Sequence, residues 1–142
     1  MEEVAPMQDI TKIQLDSENF SFFSPPKRGE EVGQVLTIFA DGRVVFSAED
    51  GIGEVRHIEK QIDADTAETV LGMVAAKFRH PHDREDFVTD VGTWQLTIFH
   101  SIGQSEFTGS VFPNPRLADI SDTIRQVTAI PNLWVFDGIQ LY

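Results

Sequence analysis

The densest gathering of chemistry-bearing side chains is His80-Pro81-His82, with Asp83, Glu85, Asp86 and Asp90 close behind. Two imidazoles one residue apart lie on the same side of an extended segment. They can reach one metal ion, and carboxylates can complete its shell. His80, His82, Asp83 and Asp86 are therefore the candidate metal ligands. A small metal-binding protein or hydrolase centred on His80 and His82 is one functional class that this pattern admits. The competing role is structural: His80 falls where a helix is expected to end, a place that suits positive charge, and the acids keep a loop solvated.

The other reactive residues are scattered. His57 lies within a strand pattern and His100 follows one on the core-facing parity. Pairing with an acid would make either a general base, whereas the competing role is a partly buried histidine bonded to a backbone carbonyl. No serine sits in a Gly-x-Ser-x-Gly turn. Gly51-Ile52-Gly53 is a fragment of a glycine-rich loop. It has strand patterns on both sides, whereas a phosphate cradle needs a helix start. There is no cysteine, so disulfides, thiolate metal sites and cysteine nucleophiles do not arise. No cofactor is implied by any motif.

The bulk numbers narrow the class. A chain of 142 residues with 41% hydrophobic and 24% charged residues is expected to fold as one globular domain. Its 23 acids against 11 bases give a net charge of −12. Fourteen of those acids and six of the bases precede residue 66. Such a balance opposes general affinity for a nucleic-acid backbone or an anionic membrane, and favours encounter with a basic protein. The opening Met1-Glu2-Glu3 lacks the basic start and apolar run of a secretory leader, and no apolar run reaches about 18 residues, so a cytoplasmic location is expected.

Residues 1–9 carry few apolar anchors and read as a flexible N-terminus, leaving 10–142 as the domain. From Ile10 the alternation of Ile13 and Leu15 against Lys12, Gln14 and Asp16 predicts a strand. Asp16-Ser17-Glu18-Asn19 has turn chemistry, Phe20-Ser21-Phe22 resumes the alternation, and Ser24 to Gly33 is a loop rich in proline and glycine. Val35 to Ser47 predicts a hairpin turning at Asp41-Gly42. Glu54 to Ile62 reads as a charged edge strand. Asp65-Thr66-Ala67-Glu68 has the form of a helix cap, and Ala67, Val70, Leu71, Val74, Ala75 and Phe78 follow at helical spacing. A second hairpin opens at Thr93, turns around Ser101 to Gln104 and returns to Phe112. Leu117, Ile120, Ile124 and Val127 predict a second helix. Leu133 to Phe136, apolar on both faces, reads as a covered final strand.

This order predicts an α+β domain: a largely antiparallel sheet of about six to eight strands with two helices on one face. Leu36-Thr37-Ile38-Phe39 recurs letter for letter as Leu96-Thr97-Ile98-Phe99, each opening a hairpin that precedes a helix. That placement suggests internal duplication of a hairpin-helix unit. Alternation puts Leu36, Ile38, Trp94, Leu96 and Ile98 under the helices, and Phe39, Phe99, Thr37, Thr97 and Gln95 on the opposite, uncovered face. Large aromatics on an open sheet face make a candidate contact surface; the alternative is that the segment Phe20-Ser21-Phe22-Phe23 folds over them. The expectation is a non-enzymatic, acidic protein-interaction domain, of inhibitor or immunity type, whose partner is another, basic protein. A structural homodimer joined through Phe39 and Phe99 is the other form of the same surface.

Overall fold

Strand β1, Ile10–Glu18, is the centre on which the sheet is built, with a neighbour hydrogen-bonded along each edge. The computed structural model describes residues 10–18, 31–78, 92–111 and 117–136. The remaining elements are β2 (Gly33–Phe39), β3 (Arg43–Glu49), β4 (Glu54–Gln61), α1 (Ala64–Lys77), β5 (Thr93–His100), β6 (Gly103–Ser110) and α2 (Ala118–Thr128). All the pairings are antiparallel, and the sheet is open with the order β4-β3-β2-β1-β5-β6. The chain is thus α+β, with six strands among its described residues.

Strand alternation divides the sheet as the pattern demands. Ile13, Leu15, Leu36, Ile38, Val44, Phe46, Trp94, Leu96 and Ile98 are all buried in one core. The helices add Val70, Leu71, Val74, Ile120 and Ile124 to that core, each worth about 1.5–3 kcal/mol when fully removed from water. Phe78, just after α1, sets its ring 5.8 Å from Trp94 and 5.1 Å from Phe107. The Lys60 ammonium, on the same face of β4, donates at 2.7 Å to the Thr128 carbonyl at the end of α2, where the helix dipole favours a cation. Both helices lie on this one side.

The two copies of the repeated phrase flank β1 in the same register. Leu36 and Leu96 both oppose Leu15, Ile38 and Ile98 both oppose Ile13, and Phe39 and Phe99 both oppose Lys12. Yet β3 lies beyond β2 on one side, and β6 beyond β5 on the other. Seen from the helices, the two hairpins turn in opposite senses. A rotation that superposed their strands would point one hairpin's apolar residues away from the core. The architecture therefore lends no support to duplication; two positions beside the same strand make the same demands on sequence.

Four local expectations are corrected. Asp16, Ser17 and Glu18 are not a turn but the last residues of β1. The Ser17 hydroxyl donates at 3.0 Å to the Val135 carbonyl, a partner far away in sequence. Helix α1 starts at Ala64, with Asp63 before it making no side-chain capping bond, so the Asp65 cap falls inside the helix. The second hairpin has a tight two-residue turn, Ser101-Ile102, with His100 paired to Gly103. Leu133–Phe136 is buried but is not a strand. Asn132 and Val135 have positive φ, which breaks any ladder, and the Leu133, Trp134 and Val135 carbonyls and the Trp134 N–H bond to side chains instead.

The first hairpin turns as Asp41-Gly42 predicts. The Gly42 N–H donates to the Phe39 carbonyl at 2.9 Å, and Gly42 has φ of +97°. A β-carbon there would run into the Ile62 carbonyl, so the turn needs glycine for conformation and for space. Strand β4 is the charged edge that its pattern implied, with Arg56, Ile58 and Lys60 on the core side and His57 and Glu59 on the other.

Candidate functional site

Every described element outside the sheet packs on the side of Ile13, Leu36 and Trp94, through the core and through bonds from Ser17, Gln34, Arg56 and Lys60 to α2 and the C-terminal segment. The opposite face is the one the sequence singled out. Phe39, Phe99, Thr37, Thr97 and Gln95 all lie on it, brought together by the shared pairing with β1. Thr37 and Thr97 flank Gln14 and are only 9% and 6% exposed, so taller neighbours shield them. Gln95 is exposed, and both phenylalanines are partly exposed.

Side chains on this face fall into rows that run across the strands. The first is Arg43–Phe39–Lys12–Phe99. The Lys12 ammonium sits 5.3 Å from the Phe39 ring centre and 4.7 Å from that of Phe99, and the Arg43 guanidinium is 4.3 Å from Phe39. Cation–π contact of this kind is worth about 0.5–1 kcal/mol at an exposed site, and it holds the rings and both cations in one layer. The second row is Val45–Thr37–Gln14–Thr97, with Glu59 of β4 at one end and Glu106 of β6 at the other. The third is Ser47–Val35–Asp16–Gln95, and beyond it come Glu49 and Glu18. One end of the face is thus cationic and aromatic, the other anionic.

At the anionic end lies a hollow of about 340 Å³ whose lining includes Asp16, Glu18, Glu49, Thr93 and Gln95. Burial pushes the Asp16 carboxyl above its usual range, and a bond from Gln14 only partly offsets it. Lys12, Arg43 and Asp16 were not among the residues singled out from sequence. The signal was present, because the same alternation that puts Ile13 and Leu15 inward puts Lys12, Gln14 and Asp16 on the face with Phe39 and Phe99.

No protein-family model matches the chain, and no curated protein matches it in sequence. Function must therefore be argued from the residues themselves.

The catalytic and metal candidates fare differently. His80, His82, Asp83 and Asp86 lie outside the described residues. Among the described residues no group of three or more histidines, cysteines and acids is arranged to hold a metal ion. His100 Nε2 lies 3.4 Å from the Ser105 hydroxyl, and its buried Nδ1 has no partner among the described residues. A working nucleophile–base pair needs a third group to orient the base, and Nδ1 has none there.

His57, exposed on the edge strand β4, sits 2.9 Å from Glu59 and 3.5 Å from Glu54. The Glu59 hydrogen bond, helped by the Glu54 charge, raises its pKa above the ordinary 6.5. A raised folded-state pKa stabilises the fold below about pH 6.5, and that contribution fades as pH climbs through the higher folded value. NMR titration of the imidazole should show a midpoint above 6.5, and Glu59→Gln should bring it down towards that value. An unchanged midpoint in the variant would show that the ring does not sense Glu59.

Proposed function

We propose that this chain is a non-enzymatic protein-interaction domain whose contact surface is the sheet face opposite the helices. The observation that carries the reading is the Arg43–Phe39–Lys12–Phe99 row, four large side chains interleaved on a face that no described element covers. Aromatic and arginine side chains are the residues that most often dominate protein interfaces. The net charge of −12 favours a basic partner, and the face narrows that preference. Asp16, Glu18 and Glu49 suit basic groups at one end, while Lys12 and Arg43 suit acidic groups at the other, where Phe39 and Phe99 add apolar area beside them.

The test compares wild type with Phe39→Ser/Phe99→Ser. Both are immobilised and used to capture protein from a lysate of the source organism across a salt series. The expected result is a specific binder, released as salt rises and bound at least about tenfold more weakly by the double variant, since central interface aromatics often cost 2 kcal/mol or more each. Absence of any binder together with absence of self-association would overturn the reading. So would undiminished capture by a folded double variant.

A further inference from the structure

We propose that the occupant of the open face is a second copy of this chain, packed face to face about a two-fold axis along the row Val45–Thr37–Gln14–Thr97. The inference rests on the reading of that face as a protein-contact surface and names what it contacts. A surface that needs acids opposite one end and bases opposite the other is described by this same face turned end for end.

The registers make the match specific. Lys12 lies two residues to one side of Gln14 on β1, and Asp16 lies two residues to the other. A half-turn about an axis across the strands at Gln14 keeps each strand over its own counterpart and exchanges the two ends. Lys12 of one copy then stands over Asp16 of the other, twice per dimer. Phe39 stands over Val35, and Phe99 over Gln95, because each pair shares a strand and brackets the central row. On the axis, Val45 faces Val45 and Gln14 faces Gln14, the self-contact that a closed two-fold interface requires, while Glu59 of β4 and Glu106 of β6 face their own counterparts at the outer strands. Face-to-face sheets pack about 10 Å apart, within reach of a lysine and an aspartate extending towards each other.

Two further observations favour this occupant. Asp16 bears a desolvation cost that no cation within the described chain relieves, and the second copy's Lys12 would supply one. The area is also adequate: six strands about 4.8 Å apart and about 24 Å long make a face near 700 Å², close to the roughly 800 Å² per partner of a stable interface. The net charge of each copy opposes association only weakly, since charges more than about 10 Å apart are screened at 0.1 M salt, and the facing glutamates Glu59 and Glu106 lie exposed on the outer strands.

The experiment is sedimentation of the full chain with charge exchange at two positions. Wild type should form a reversible dimer. Lys12→Asp leaves only acids at the paired positions, and Asp16→Lys leaves only bases, so each variant alone should dimerise about tenfold more weakly or worse. An equimolar mixture of the two should recover a dimer containing one of each, and Lys12→Asp/Asp16→Lys should recover its own. Circular dichroism confirms that each variant is folded. A wild-type monomer at every concentration reached would overturn the proposal, as would folded single variants that dimerise like wild type or a mixture that fails to recover. A monomeric wild type that still captures a different protein through Phe39 and Phe99 would remove the second copy and leave the contact face standing.

Discussion

Trp94→Ala is expected to lower the unfolding free energy by about 3–5 kcal/mol, read from urea denaturation. Trp94 is 1% exposed and joins four parts of the core. It rises from β5, meets the Phe136 ring edge-on at 4.8 Å and the Phe78 ring at 5.8 Å. Phe78 in turn reaches Phe107 of β6 and Phe136, at 5.1 and 5.7 Å. Removing the indole opens a cavity where α1, β5, β6 and the C-terminal segment meet, and rings held from several sides cannot all collapse into it. Phe99→Ser on the same strand is the control. It points to the open face and should cost about 1 kcal/mol or less, within the range of surface changes. Equal losses from the two would mean that the core does not lie on the Trp94 side of the sheet.

Gln34→Leu is expected to cost about 2–3 kcal/mol although leucine is close in size and apolar. Gln34 is 3% exposed and serves as a two-sided clasp. Its Nε2 donates to the Asn132 carbonyl at 2.8 Å and to the Glu31 carboxylate at 2.9 Å, and its Oε1 accepts the Trp134 N–H at 2.9 Å. The segment it holds has no strand or helix to satisfy its backbone, so carbonyls from Pro131 to Val135 and the Trp134 N–H bond to side chains. Arg125 donates to the Leu133 and Trp134 carbonyls, both at 2.8 Å, and Arg56 to the Pro131 carbonyl at 2.6 Å. With leucine at position 34, the buried Trp134 N–H loses its acceptor. Hydrogen exchange should rise first at Trp134 and its neighbours, ahead of the sheet. Exchange and stability like wild type would show that the clasp does not hold the segment.

Much of the architecture was legible from one sequence because the signal was local and repeated. Apolar residues at every second position assigned Ile13, Leu36, Ile38, Trp94 and Leu96 to the core and Phe39 and Phe99 to the other side. Spacing at three and four residues found the buried stripes of α1 and α2, and Asp41-Gly42 found the first turn. The edge position of β4 followed from its charges. Three features with no local signature did not emerge. Asp16-Ser17 has turn chemistry, but pairing on both sides of β1 and the Ser17 bond to Val135 override it. The Ser101-Ile102 turn lacks a glycine at its centre. The run Leu133–Phe136 is apolar enough for a strand or any other buried segment, and only its partners decide which.

The order of residues alone determined which side of each strand is apolar, because that depends on a two-residue period that any extended chain obeys. It determined the helices through a period of three to four residues, and it put Phe39 and Phe99 on the face away from the core. Only the tertiary structure placed β1 between β2 and β5, since pairing between distant strands leaves no trace in either one's own pattern. That single placement brings Lys12 between two phenylalanines sixty residues apart in the chain. It also opposes the cationic end of the open face to an anionic one, because one strand carries lysine and aspartate on the same side at a four-residue interval.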